Sequence, residues 1–365
     1  MALSYDDGVP RHVRTVVAWW VAWWVVAWGL AACLPAPVLR DEGRREPFLR
    51  GIALGLFDGT PGAYEAHYDE ELREIRATGA TDVSLVITWV QDDVAAAEVR
   101  GAPGYTAPDA LVRRMVRRAR DLGLRVTLFP ILRLLHRTPS EWRGVIHPTD
   151  PARWFASYGR RLDALARLGA EERVAWISVG SEIVSLQARK GDWEALIAAT
   201  RAVFPGRLLY SANWDRVTDV PFWGALDAIG ISAYWRVTPI GERATVRGAI
   251  AAWRPIRDEL RALARALDRP IVFTEVGYPA TAGAGAWPWN DFLVGSEGAL
   301  DQEAQRRLFE AFAAVWSDEP VLAGAFVWLW LSPGGLLDRG HTLRRKPAGL
   351  VLHDWYRAAR PPLGR

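Results

Sequence analysis

The strongest constraint on the fold of this chain is an alternation. Short apolar runs at 51–57, 82–88, 124–130, 174–179, 207–212, 228–233, 270–274 and 322–328 read as strands. Amphipathic segments at 68–79, 108–123, 150–168, 193–204, 247–267 and 301–317 read as helices between them. Asp150 and Pro151 form a cap and first-turn pair, Gly79 ends its helix, and Pro255 marks a kink or an internal start. Eight strands alternating with helices predict an α/β chain folded as a single (β/α)8 barrel. The alternative is an open doubly wound sheet. That fold wants a glycine-rich phosphate turn after strand one, and Gly55 to Pro61 does not supply it.

In a barrel the chemistry sits at the C-terminal ends of the strands. Ile271, Val272 and Phe273 form a buried-strand run that ends at Glu275. The same design occurs upstream, where Val174 to Val179 runs into Gly180, Ser181 and Glu182. Strands four and seven lie on opposite sides of an eight-stranded ring, so their carboxylates can converge over its centre. A carboxyl pair at a barrel mouth suits glycoside hydrolysis, with one acid on the leaving oxygen and one carboxylate at the anomeric carbon.

Composition narrows the field. The 365 residues are 50% hydrophobic and 24% charged, which is globular. A net charge of +3 does not call for nucleic acid, and the run Arg113, Arg114, Arg117, Arg118, Arg120 has the spacing of a solvated helix face. The histidines His12, His67, His136, His147, His341 and His353 show no metal-binding spacing. Ser181 lacks the Gly-x-Ser-x-Gly elbow of a serine nucleophile. No cofactor is expected. Tryptophan is abundant, at 20 residues, and its flat face can stack on a sugar as well as fill a core.

Gly180 to Glu182 at strand four and Phe273 to Tyr278 at strand seven resemble the clan A glycoside hydrolases, and most of all glycoside hydrolase family 113. Ser211 to Trp214, Ile229 to Tyr234 and Phe326 to Trp328 extend that resemblance over about residues 50 to 355. It implies a retaining β-mannanase-like enzyme with Glu182 as acid/base and Glu275 as nucleophile. Tyr234 would hold Glu275, and Trp328 would floor the subsite of the cleaved sugar. Asn213 and Trp214 would touch sugar. Trp89, Arg133 and His136 would face the same rim. Ser181 departs from the clan pattern, in which an asparagine precedes the acid/base and contacts the sugar 2-hydroxyl. That departure leaves room for a non-catalytic glycan-binding or envelope-associated barrel.

The N-terminus reads as an address. Arg11 and Arg14 precede an apolar stretch that ends Leu30-Ala31-Ala32-Cys33. This resembles a lipobox, cleaved before the only cysteine, which is then lipidated. An uncleaved membrane anchor is the alternative. The expected layout is a signal peptide at 1–32, a linker at 33–47, the barrel at 48–357 and a tail at 358–365. The carbohydrate-processing part would lie outside the cytoplasm, lipid-anchored to a bacterial membrane. Leu34 after the cysteine favours the outer membrane in a Gram-negative cell. The expected partners are thus a carbohydrate and, through the lipid, a membrane.

Overall fold

The structure is a computed structural model that describes residues 47–57, 65–290, 298–331 and 333–358. The signal peptide, Cys33, nearly all of the linker and all but the first residue of the tail lie outside the described residues. No described helix is long and apolar enough to cross a membrane.

Eight parallel strands close on themselves in chain order. They are β1 (Leu49–Leu56), β2 (Asp82–Gln91), β3 (Arg125–Leu134), β4 (Trp176–Ser181), β5 (Arg207–Asn213), β6 (Ala228–Ser232), β7 (Ile271–Val276) and β8 (Leu322–Trp330). The helices are α1 (Glu65–Ala77), α2 (Asp109–Asp121), α3 (Pro151–Glu171), α4 (Lys190–Val203), α5 (Val246–Leu267), α6 (Gln302–Trp316) and α7 (Pro347–Arg357). Each expected strand is present, and the ends move by a few residues. The step from β5 to β6 is made by two 3-10 turns, Val217–Asp219 and Trp223–Ala225, in place of an α-helix. Asp150 caps α3 by accepting from the Arg153 N–H, with Pro151 in the first turn. Gly79 takes a positive φ after α1. Helix α5 starts at Val246 under a Thr245 cap and runs through Pro255, so the proline does not begin the helix.

The pleat sorts side chains between two apolar compartments. Leu49, Trp176, Leu209, Ala228, Val272 and Phe326 fill the lower interior of the barrel. Ala53, Val86, Phe129 and Leu329 form an upper layer, with Phe57, Ile131 and Trp328 packed on it. The other face of every strand meets the helices. Phe273, for example, packs its ring 4.8 Å from that of Trp316. The β1–β8 seam is stitched from outside, where the Tyr356 hydroxyl of α7 donates to the Gly51 carbonyl at 2.6 Å. Gly51 itself is required inside, because a Cβ there would fall 2.2 Å from the Phe326 ring.

The arginine run of α2 is absorbed by the fold. Arg117 and Arg113 both pair with Glu172 after α3, Arg118 pairs with Asp69, and Arg120 donates to the Glu172 carbonyl. The Arg117 hydrogen bond, acting against desolvation, holds the Glu172 carboxyl below its usual range.

The alternation also corrects one expectation. Val86 points inward, so Trp89, three residues on, points outward. Its side chain is 1% exposed, with the Tyr158 ring 5.2 Å away and the Arg161 guanidinium 5.6 Å above it. Trp89 belongs to the strand–helix core and does not line the mouth. Replacing it with alanine is expected to cost about 3–5 kcal/mol of unfolding free energy, measured by urea denaturation. A loss near zero would mean that the ring carries no packing.

Candidate active site

Strict alternation would send Glu275 the wrong way. Val272 and Thr274 face the interior, and Phe273 faces the helices. A regular strand would put Glu275 with Phe273. Instead the β6–β7 ladder shifts register, and Ser232 comes opposite Glu275. The β7–β8 ladder shifts between Phe273 and Val276 as well. The irregularity turns Glu275 toward the mouth. Strand β4 does the same. Its pairing with β5 shifts between Ser178 and Ser181. Glu182 then adopts a left-handed backbone, φ 55°, a region that non-glycine residues seldom occupy.

Both distorted ends are held from several sides. The Glu182 N–H donates to the Ser211 carbonyl at 2.8 Å, and the Ile183 N–H donates to the buried Tyr210 hydroxyl at 3.0 Å. Tyr158 donates to the Val179 carbonyl at 2.9 Å, and Trp193 donates to the Leu186 carbonyl at 3.0 Å. At the other strand end, the Ala233 N–H donates to the Glu275 carbonyl at 2.7 Å. Beneath the carboxylates, Ser211 shares hydrogen bonds with Ser232 at 3.0 Å and Thr274 at 2.5 Å. This polar layer ties β5, β6 and β7 together.

Glu182 and Glu275 are 5% and 2% exposed. Tyr234, at the end of β6, donates its hydroxyl to Glu275 Oε2 at 2.9 Å. Behind Tyr234 stands His341, with ring centroids 6.3 Å apart, and the His341 Nε2–H donates to the Pro288 carbonyl at 2.8 Å. Gly277 lets this group close up, since a Cβ there would lie 2.6 Å from the Trp328 carbonyl oxygen and 3.1 Å from His341. Trp328 is partly buried against the upper interior layer.

The fourth charged or polar group of the mouth is one that sequence reasoning missed. Arg143 lies on the 3-10 turn Arg143–Val145 between β3 and α3, and its Nη2 donates to Glu182 Oε2 at 2.5 Å. Burial opposes the guanidinium charge. The negative charges of Glu182 and then Glu275 outweigh that, and hold Arg143 above its ordinary pKa. Arg143 therefore lies within the field of both carboxylates. No motif marks it, because it sits in a loop 39 positions before its partner. Its one signal is an arginine beside Trp142 in the connection after a barrel strand.

The remaining expected site residues spread along the rim. Asn213 donates its amide to Asp215 at 2.7 Å. Trp214 stacks on Trp289, centroids 5.6 Å apart, and meets Trp235 edge-on at 6.1 Å. Trp289 is 39% exposed. Arg133 is exposed and lies over the Tyr105 ring at 5.0 Å, and His136 is exposed. Among the described residues, the buried hydroxyl of Ser181 has no hydrogen-bond partner. Among the described residues, no three His, Cys, Asp or Glu side chains are grouped to hold a metal ion.

The chain is similar to several solved proteins. The β-mannanase of Alicyclobacillus acidocaldarius, solved in complex with ManMIm, matches at 26% identity and a TM-score of 0.76, over 85% of this chain and 97% of that one. A structure of a β-1,4-mannanase of the same family matches at 23% identity and 0.75, over 86% and 100%. A GH5_18 protein from Bifidobacterium longum subsp. infantis shares the fold at 18% identity and 0.59, over 87% and 81%. No curated protein sequence matches the chain. The sequence model of Glycoside Hydrolase Family 113 covers residues 56–338, so the chain belongs to that family of glycoside hydrolases.

Proposed function

We propose that this glycoside hydrolase cleaves β-1,4-linked mannan or manno-oligosaccharide with retention of configuration. The observation that carries the reading is the pair of strand-end glutamates, each turned into one mouth by a strand irregularity and each held by its own partner. Glu275 is the nucleophile. Its carboxylate attacks the anomeric carbon, the glycosidic C–O bond breaks, and a glycosyl ester forms. Glu182 gives its proton to the departing oxygen. Water then attacks the ester, returns a proton to Glu182 and frees Glu275. The Tyr234 hydroxyl stabilises the negative charge of Glu275 and fixes the oxygen it holds, leaving the carboxylate aimed. Trp328 offers a stacking face for the cleaved sugar, and Trp214 with Trp289 offers one farther along the chain of sugars. The likeness to two β-mannanases of the family supports the choice of mannan.

The test is product analysis on β-linked manno-, gluco- and xylo-oligosaccharides. The manno series is expected to be cleaved, with the β-anomer appearing first by NMR. Glu275→Gln and Glu182→Gln are each expected to abolish that cleavage. If the unsubstituted chain binds a glycan and cleaves none, the reading falls to a non-catalytic glycan-binding lipoprotein. The unpaired Ser181, in place of the clan's asparagine, is the observation on that side.

Tyr234→Phe removes one hydrogen bond to a charged group, worth about 1.5–3 kcal/mol. The expected result is a kcat/KM about 10–100-fold lower, with the fold retained by circular dichroism. An unchanged kcat/KM would remove Tyr234 from the mechanism.

The same proposal places the enzyme outside the cytoplasm, anchored through a lipid on Cys33. Radiolabelled fatty acid is expected to enter the full-length chain in a bacterial host and to be lost in Cys33→Ser. Equal labelling of both would contradict the anchor.

A further inference from the structure

The contact between Arg143 and Glu182 needs a reason. Their side chains are 22% and 7% exposed, so the pair is largely enclosed. Enclosed ion pairs are a poor device for stability, because desolvation offsets most of the attraction. The loop around Arg143 is nevertheless built to hold it. Ser185, in the 3-10 turn Val184–Leu186 just after Glu182, donates its hydroxyl to the Ile146 carbonyl at 2.5 Å. The His147 and Thr149 N–H groups donate to the Val94 and Ala95 carbonyls at 2.7 and 2.9 Å. Gly144 admits the Trp142 ring, from which a Cβ would be only 2.3 Å away. The turn that carries the guanidinium is thus tied both to the turn behind Glu182 and to the loop after β2.

Two details say what this arrangement does. Arg143 takes only Oε2 of Glu182 and, among the described residues, Oε1 has no protein hydrogen bond. The residue before Glu182 in the chain, Ser181, does not steady it either, since among the described residues its buried hydroxyl has no hydrogen-bond partner. We propose that Arg143 is the positioning residue of the acid/base, gripping one oxygen of Glu182 so that the other is presented to the glycosidic oxygen and then to water. This rests on the hydrolase reading above and adds the group through which Glu182 is aimed. The guanidinium also feels the negative charge of Glu275.

A residue that acts through the acid/base has a kinetic signature that a structural one lacks. Proton donation matters for a sugar leaving group and not for an activated phenol. Base catalysis matters for attack by water and not for attack by azide. The experiment compares Arg143→Met and Arg143→Lys with the unsubstituted enzyme. The substrates are mannotetraose and 2,4-dinitrophenyl β-mannobioside, each with and without azide. For Arg143→Met, kcat/KM on mannotetraose is expected to fall about 100-fold, the scale of general acid catalysis. On the aryl substrate it should stay within about threefold of the unsubstituted value. Azide should raise aryl turnover and yield β-mannosyl azide. Arg143→Lys should recover part of the mannotetraose rate. Equal proportional losses on both substrates, with no azide effect, would overturn the proposal and leave the hydrolase reading intact. Hydrolysis of neither substrate by the unsubstituted enzyme would overturn both.

Discussion

A side chain at the end of a barrel strand faces either the mouth or the helical layer, and the pleat decides which. The site depends on breaking that rule at two of the eight strands. On β7, Thr274 and Glu275 both face the mouth side although they are adjacent. On β4, the register slips before Ser181, and Glu182 follows with a positive φ. Residues in such conformations persist where their surroundings over-determine them. Here the surroundings are Tyr210, Tyr158, Trp193 and the serine–threonine layer, all buried. The barrel supplies stability, and its distorted ends supply function.

The electrostatics follow from the same convergence. Two carboxylates brought into one enclosed mouth repel each other unless positive charge or hydrogen-bond donors come with them. Tyr234 serves Glu275, and Arg143 serves Glu182. The partners differ in kind, a neutral hydroxyl on one side and a cation on the other. They also come from different elements, the end of β6 and the loop after β3.

Much of this was legible in the residues, for physical reasons. The eight apolar runs have the period and length of buried parallel strands, so the barrel and the strand-end glutamates could be read directly. Tyr234 followed from the end of β6 by resemblance, and the structure has it bonded to Glu275. Trp89 was misassigned because proximity to a strand end says nothing about parity, and parity puts it among Tyr158 and Arg161. The bulges at β4 and β7 were not legible, because a one-residue slip leaves no mark in composition. Arg143 was missed for a related reason. A loop residue reaches its partner through tertiary packing, and its spacing from Glu182 has no period to detect.

The central claim is that Glu275 carries the sugar through the reaction. Reaction with a 2-deoxy-2-fluoro-β-mannosyl fluoride would trap that ester, because the fluorine slows its hydrolysis. The account predicts one adduct per chain, recovered by mass spectrometry on the peptide that contains Glu275. An adduct on another residue, or complete turnover of the mannoside without any trapped species, would contradict it.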